Sequence, residues 1–242
     1  MIIEFILLIL GAYLLGSVPA AYLVAKWRRG IDIRQYGSGN VGAANVLAAV
    51  SKRWSIPVTI FDIGKGALTV WVAQLLELSP AQQVTVGIFT IIGHNWPIFL
   101  RFRGGRGVFT SLGVIILLSP KLGLIVAVIS YSLAPFRQVP LGVTLSLFSL
   151  PFFSWFLSQP LGIEERLPIT LGFVVLGLIA LARRLTAPRT PLSGSVSPFQ
   201  LFINRLLFDR DIRDRKAWIS QTRSEISLRE QPLEQEEEQG KA

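Results

Sequence analysis

Long apolar runs constrain this chain more than anything else in it. A membrane-crossing helix needs about 17 to 25 mostly apolar residues. The runs 2–24, 55–78, 83–100, 139–157 and 167–182 all meet that length. Two shorter pieces, 108–118 and 121–135, lie between them, split at Ser119-Pro120. An eleven-residue helix rises only about 16 Å, so the first piece is a short or partly inserted crossing. Counting it gives about seven transmembrane helices. The expected fold is therefore an all-α, polytopic integral membrane helical bundle. Only 16% of residues are charged, against about a quarter in soluble domains, which supports the same class.

The run 2–24 has no basic stretch before it and further spans after it, so it reads as a mature helix rather than a signal peptide. The loop that follows carries Lys26, Arg28, Arg29, Arg34, Lys52 and Arg53. In a seven-span arrangement Arg101, Arg103, Arg106 and Arg137 fall on that same side, and the opposite connections hold only Lys121 and Arg166. The positive-inside rule then places the N-terminus outside and the C-terminus in the cytoplasm. The formal net charge of +9 follows this membrane asymmetry and does not call for a nucleic-acid partner. With no cysteine and one histidine, thiol chemistry, thiolate metal sites and a histidine-rich metal site are excluded. Two units are expected: a transmembrane domain over 1–188 and a cytoplasmic tail over 189–242. In the tail, Phe199, Phe202, Ile203, Leu206 and Leu207 recur at helical spacing among arginines, which suits an anionic membrane surface or a protein partner. The acidic end around Glu234 to Glu238 reads as disordered.

Two glycine-rich stretches fall on the basic face. The first, GSGNVGAANV, places Gly37, Gly39 and Gly42 among Ser38, Asn40 and Asn45. Glycines let successive N–H groups turn toward one anion, and Ser and Asn side chains add donors. The same pattern also suits a flexible loop or close helix packing. No Gly-Lys-Ser/Thr follows, so a nucleotide-binding P-loop is excluded. The second stretch, Gly104-Gly105-Arg106-Gly107, leads straight into the short helix, whose first turn holds Thr110 and Ser111. Unpaired N–H groups and the positive end of the helix dipole favour phosphate there, and Arg106 adds a cationic fork.

Two further features carry ionisable groups into apolar sequence. Asp62 and Lys65, three residues apart in FDIGKGALTV, share one helix face; they are either a site or a structural ion pair. His94, in IIGHNWPIFL, ends a span about ten residues before the second glycine loop. An imidazole there suits proton transfer with an alcohol near neutral pH, and equally a packing role.

Together the blocks SVPAAYL with GIDIRQYGSGNVGAANVL, FDIGKGAL, and GHNWPIFLRFRGGRGVFTSLG resemble the bacterial acyl-phosphate-dependent glycerol-3-phosphate acyltransferases, the PlsY family. The resemblance runs over residues 2–184. It implies a multi-pass protein of the bacterial plasma membrane with a cytoplasmic active site, taking glycerol 3-phosphate and acyl phosphate and working without metal or other cofactor. It further implies contact with membrane lipids and with an enzyme that produces acyl phosphate. His94 and Ser38 would be catalytic. Gly37, Gly39, Asn40, Gly42, Asn45, Lys65, Gly104, Gly105, Arg106, Gly107, Thr110 and Ser111 would bind substrate phosphate. The sequence departs from the family pattern at Ala44, Ala48, Arg106, Arg184 and Ala187, where threonine, arginine, lysine, histidine and asparagine are usual. Those departures motivate an alternative: a divergent relative of low or no activity that binds acyl phosphate or lipid head groups and regulates a partner. A third reading, an organic-phosphate transporter, lacks the internal repeats expected of one.

Overall fold

The computed structural model describes residues 2–218. All regular structure among them is helical: α1 (Ile2–Ser17), α2 (Ala20–Arg29), α3 (Ala43–Ala49), α4 (Lys52–Leu75), α5 (Pro80–Asn95), α6 (Val108–Leu118), α7 (Pro120–Ser132), α8 (Val139–Phe156), α9 (Arg166–Leu185) and α10 (Pro198–Phe208). Four stretches are long and apolar enough to cross a membrane: 2–29, 52–75, 139–156 and 166–185. With α5, α6 and α7 they form an all-helical bundle, the fold class expected. Large side chains such as Leu7, Leu10 and Leu14 on α1 and Phe148, Phe152 and Phe156 on α8 stay exposed. An apolar exterior of this kind belongs in hydrocarbon.

The first span departs from the single helix expected over 2–24. It breaks at Val18-Pro19 and resumes as α2. Proline has no N–H to donate one turn back and disfavours helix in the residue before it. Ala20 N–H turns to Val18 O instead of completing the ladder to Gly16. The freed carbonyl of Gly16 is taken by Lys65 Nζ at 3.1 Å, so this acceptor is not left bare inside the bundle.

Glycines set how closely the spans approach. A methyl group built at Gly16 would meet Thr90 O at 2.2 Å, and one at Gly93 would meet Tyr13 O at 2.2 Å, so α1 and α5 touch backbone to backbone. Gly66 against Thr110 O and Gly113 against Ile63 O bring α4 and α6 together in the same way. Small residues are how helices approach without a solvent-driven hydrophobic effect. Ala12 clusters with Val86 and Gly16 meets Thr90, so α1 runs parallel to α5; Gly66 meets Thr110 and Gln74 reaches Leu117 O, so α4 runs parallel to α6. The loops before α4 and α6, and after α5, therefore share one end. Arg137 and the ends of α7 and α9 join them there, since Gln138 receives Arg210 of the tail. The opposite end holds the α6–α7 corner, where Ser119 Oγ donates to Leu161 O at 2.9 Å.

The tail folds back on the bundle. Ser197 caps α10 with a reciprocal bond to Gln200, and Arg205, buried, donates to the carbonyls of Leu185, Ala187 and Pro188. Phe199 and Phe202 face outward. The acidic segment from Glu234 to Glu238 lies outside the described residues.

Candidate active site

The centre of the site is a buried trio from two helices. Asp62 and Lys65 sit one turn apart on α4, 2.8 Å from Oδ1 to Nζ. His94, in the last turn of α5, brings Nδ1 to 2.8 Å from the same Nζ and 3.5 Å from Asp62 Oδ1. A lysine ammonium has three hydrogens and no acceptor. Here Asp62, the Gly16 carbonyl and His94 Nδ1 take one each. Assigned from this network, Nδ1 accepts and the imidazole proton sits on Nε2. His94 thus presents a fixed N–H, because its other nitrogen is occupied.

That N–H faces the second glycine stretch. A methyl group at Gly105 would lie 2.0 Å from His94 Nε2 and 2.7 Å from the carbonyl of Val41, so only glycine fits. The first glycine loop, through Val41, and the second, through Gly105, therefore meet over one imidazole. A narrow cleft opens beside them, lined among others by Ser17, Asp62, His94, Pro97 and Gly104. Both loops lie at the basic end of the bundle, as the charge pattern in the sequence leads one to expect.

Each loop is shaped from within. Gly37 and Gly39 hold φ of 61° and 65°, a left-handed geometry costly for other residues. Buried Asn45 organises the turn. Its amide nitrogen donates to the carbonyls of Ile33, Tyr36 and Asn40, and its oxygen accepts from Ser38 N at 3.3 Å. Gly42 caps α3, while Ser38 and Asn40 remain half-exposed at the tip. The Asp32–Arg34 pair braces the approach: Arg34 Nη2 lies 2.6 Å from Asp32 Oδ2, and Nη1 reaches Leu100 O at 3.3 Å. Hydrogen bonding from Arg34 holds the Asp32 carboxyl below its ordinary value despite some burial.

In the second loop Gly107, at φ 72°, caps α6 without any side-chain bond. Thr110 is fully buried and its hydroxyl has no partner; Ser111 is buried beside it. Asn95, also fully buried with neither amide atom bonded, lies directly beneath Gly107. Orphaned buried polar groups are costly, and these gather at a helix N-terminus, where an anion is favoured. Arg183, at the end of α9, ties the loop down by donating to the carbonyls of Gly104 at 2.9 Å and Gly105 at 3.1 Å. Arg106 turns to the tail, where its Nη1 pairs with the Asp209 carboxylate.

Sequence reasoning singled out Ser38, Lys65, His94 and both glycine loops. It did not single out Asn95, Arg183 or Asp209 as site residues. The run of two arginines ending α9 was the available signal for Arg183. Asn95 adjoins His94 but resembles any polar helix end, and Asp209 sits far away in the chain.

Known proteins carry the same outline. The family model described as glycerol-3-phosphate acyltransferase matches residues 6–190. Glycerol-3-phosphate acyltransferase 5 of Dehalococcoides mccartyi is 46% identical over 220 residues, covering 91% of this chain and 94% of that protein. A glycerol-3-phosphate acyltransferase of Prochlorococcus marinus is 39% identical over 73% of this chain and 86% of its own. Among solved structures, the glycerol 3-phosphate form of PlsY, an integral membrane glycerol 3-phosphate acyltransferase, superposes with TM-score 0.70 at 28% identity, covering 88% of this chain and 97% of that one. Its lysophosphatidic acid form gives TM-score 0.68 at 27% identity, covering 89% and 98%.

Proposed function

The chain belongs to the glycerol-3-phosphate acyltransferase family, and we propose from that premise that it transfers a fatty acyl group from acyl phosphate to glycerol 3-phosphate. The products are lysophosphatidic acid and inorganic phosphate. The observation that carries this reading is the convergence of both glycine loops on the His94 N–H beside a single cleft.

Acyl phosphate is a mixed anhydride with a good leaving group, so the protein has little covalent work to do. Its tasks are to hold two phosphates near one another, orient a hydroxyl and steady the developing oxyanion. The substrate hydroxyl oxygen attacks the acyl carbonyl carbon. The carbon–oxygen bond to phosphate then breaks, and its electron pair leaves with the phosphate. With Nε2 protonated, His94 acts as a hydrogen-bond donor to the oxyanion or to phosphate, and the hydroxyl proton passes to a phosphate oxygen. Lys65, held by Asp62, fixes the ring and adds positive potential. Ser38, Asn40 and the N–H groups around Gly37, Gly39 and Gly42 form one cradle, with Asn45 setting its shape. Gly104 to Gly107, Thr110 and Ser111 form the other, where Arg106 offers its outer guanidinium edge.

The basic end of the bundle faces the cytoplasm in this reading, with the N-terminus outside, in a bacterial plasma membrane. Acyl phosphate arrives there from an enzyme that produces it. Complementation tests the activity. Expressed in a bacterial strain lacking its own glycerol-3-phosphate acyltransferase, the protein should restore growth, and its His94→Ala variant should not. A membrane-inserted wild-type protein that fails to rescue would favour the divergent, regulatory alternative.

A further inference from the structure

The family model stops at residue 190, yet the chain beyond it closes on the second glycine loop. The pivot is Asp209, the residue that ends α10. Its carboxylate pairs with Arg106 Nη1, and its own carbonyl accepts from the same nitrogen at 3.4 Å. Its Oδ1 lies 3.8 Å from Arg184 Nε and is buried with no hydrogen bond of its own. Asp209 adopts φ 58°, a left-handed helix end that glycine ordinarily fills. Glycine would relieve the backbone but could not supply the carboxylate.

The neighbouring contacts form a closed circuit. Arg183 and Arg184 are consecutive at the end of α9. Arg183 grips the carbonyls of Gly104 and Gly105, and Arg184 reaches Thr144, the Leu206 carbonyl and Asp209. Asp209 returns the circuit to Arg106 in the loop. A second anchor fixes the strap. Asp211 accepts from Arg205 Nε at 2.8 Å and from Thr190 Oγ1 at 2.7 Å, with Ser193 completing the set. Thr144 Oγ1 also lies within hydrogen-bond reach of the carbonyls of Leu206 and Leu207.

We propose that the strap 189–211 is part of the active site and that Asp209 is a positioning residue for Arg106. An arginine on a glycine loop has many rotamers available, and its long side chain loses entropy when a ligand fixes it. Two contacts from Asp209 hold one nitrogen in advance. Both run through Nη1, so among the described residues Nε and Nη2 keep their hydrogens for a phosphate. The bidentate geometry that distinguishes arginine from lysine then serves two partners at once, the strap on one edge and the substrate on the other. This rests on the reading that Arg106 binds a substrate phosphate.

Steady-state kinetics of the full-length protein, varying each substrate in turn, tests it. Asp209→Asn keeps the shape and tolerates the left-handed backbone while removing the charge. It is expected to raise KM for the substrate whose phosphate rests on the Arg106 loop about tenfold, leaving kcat and the other KM within about threefold. Asp211→Asn loosens the strap through Arg205 without touching Arg106 or Arg184; it should raise the same KM by a smaller factor. In an Arg106→Ala background, Asp209→Asn should add nothing, since the two act as one unit. The proposal is overturned if both strap variants leave that KM unchanged, or if Asp209→Asn lowers it, which would make Asp209 a resident competitor for the phosphate site. It is overturned equally if the Asp209 effect persists in the Arg106→Ala background, which would mean it works through Arg184 or the fold. Should Arg106→Ala alone leave both KM values intact, the phosphate role of Arg106 fails first, and with a different signature.

Discussion

Replacing Gly105 by alanine adds one methyl group at the point where both loops meet His94. Its carbon would lie 2.0 Å from Nε2, against the roughly 3.5 Å at which unbonded heavy atoms rest. Something must move by about 1.5 Å, and both neighbours are tethered. The imidazole is held through Nδ1 by Lys65 at 2.8 Å. The loop is held by Gly105 N to His94 O at 3.0 Å and by Arg183 to Gly105 O at 3.1 Å. A misplacement of about 1 Å between catalytic groups can cost about a hundredfold in rate, or about 2.7 kcal/mol in the barrier. Gly105→Ala should therefore lower kcat/KM for acyl transfer by about two orders of magnitude, while the protein still folds. Gly64→Ala is the internal control: nothing lies within 4 Å of a methyl there, and mid-helix alanine is better than glycine by about 0.5–1 kcal/mol. It should match or exceed wild type in both activity and thermal midpoint. Detergent-solubilised protein assayed for lysophosphatidic acid settles the comparison. If Gly105→Ala stays within about threefold of wild type, the inferred contact between loop and histidine does not govern catalysis.

Other perturbations follow from the same geometry. Lys65→Met strands Asp62 in the bundle and uncaps the Gly16 carbonyl; breaking a buried pair this way costs about 3–5 kcal/mol, and thermal unfolding in detergent should show a large drop in midpoint. Gly93→Val drives a side chain into the Tyr13 carbonyl and should separate α1 from α5 at a cost of at least about 1–3 kcal/mol, read the same way. Burial alone would raise the Asp211 carboxyl, but bonds from Arg205, Ser193 and Thr190 outweigh it and hold it below the ordinary 3.8. The strap's stabilisation from this group is then present above that ordinary value and lost as pH falls through the lower, folded one. Protease cleavage near Arg189 should accelerate only in that acid range, and Asp211→Asn should remove the dependence. The chain has no cysteine, so single introduced thiols report orientation. Gln159→Cys should react with an impermeant reagent on intact cells, and Arg103→Cys only after permeabilisation.

What the sequence revealed depended on how local each signal was. The short α6 was legible to the residue, because Gly107 and Ser119-Pro120 bracket it. The break in the first span was equally local, with Pro19 in plain view, but a continuous apolar run masked it. Asp62 and Lys65 declared themselves by their spacing on one face. Their third partner, His94, became one only through the antiparallel packing of α4 against α5, where Lys65 meets His94 and Thr69 meets Thr90, which no short window contains. The same holds for the meeting of the two glycine loops at Val41 and Gly105. Least legible was the strap. Arg205, Asp209 and Asp211 look like ordinary surface charges in a basic amphipathic helix, yet Arg205 and Asp211 are buried. Arg106 and Asp209 are 103 residues apart in the chain, so nothing in the spacing links them. Three-dimensional closure brings a tail that reads as an appendage against the second glycine loop through Arg106 and Asp209.

A quantitative product balance tests the central claim most directly. Purified protein is mixed with palmitoyl phosphate and glycerol 3-phosphate, and lysophosphatidic acid and inorganic phosphate are measured together. Acyl transfer across one shared cleft predicts the two in equal amounts, with both lost in His94→Ala. Phosphate released without lysophosphatidic acid, or undiminished turnover in the His94 variant, would contradict it.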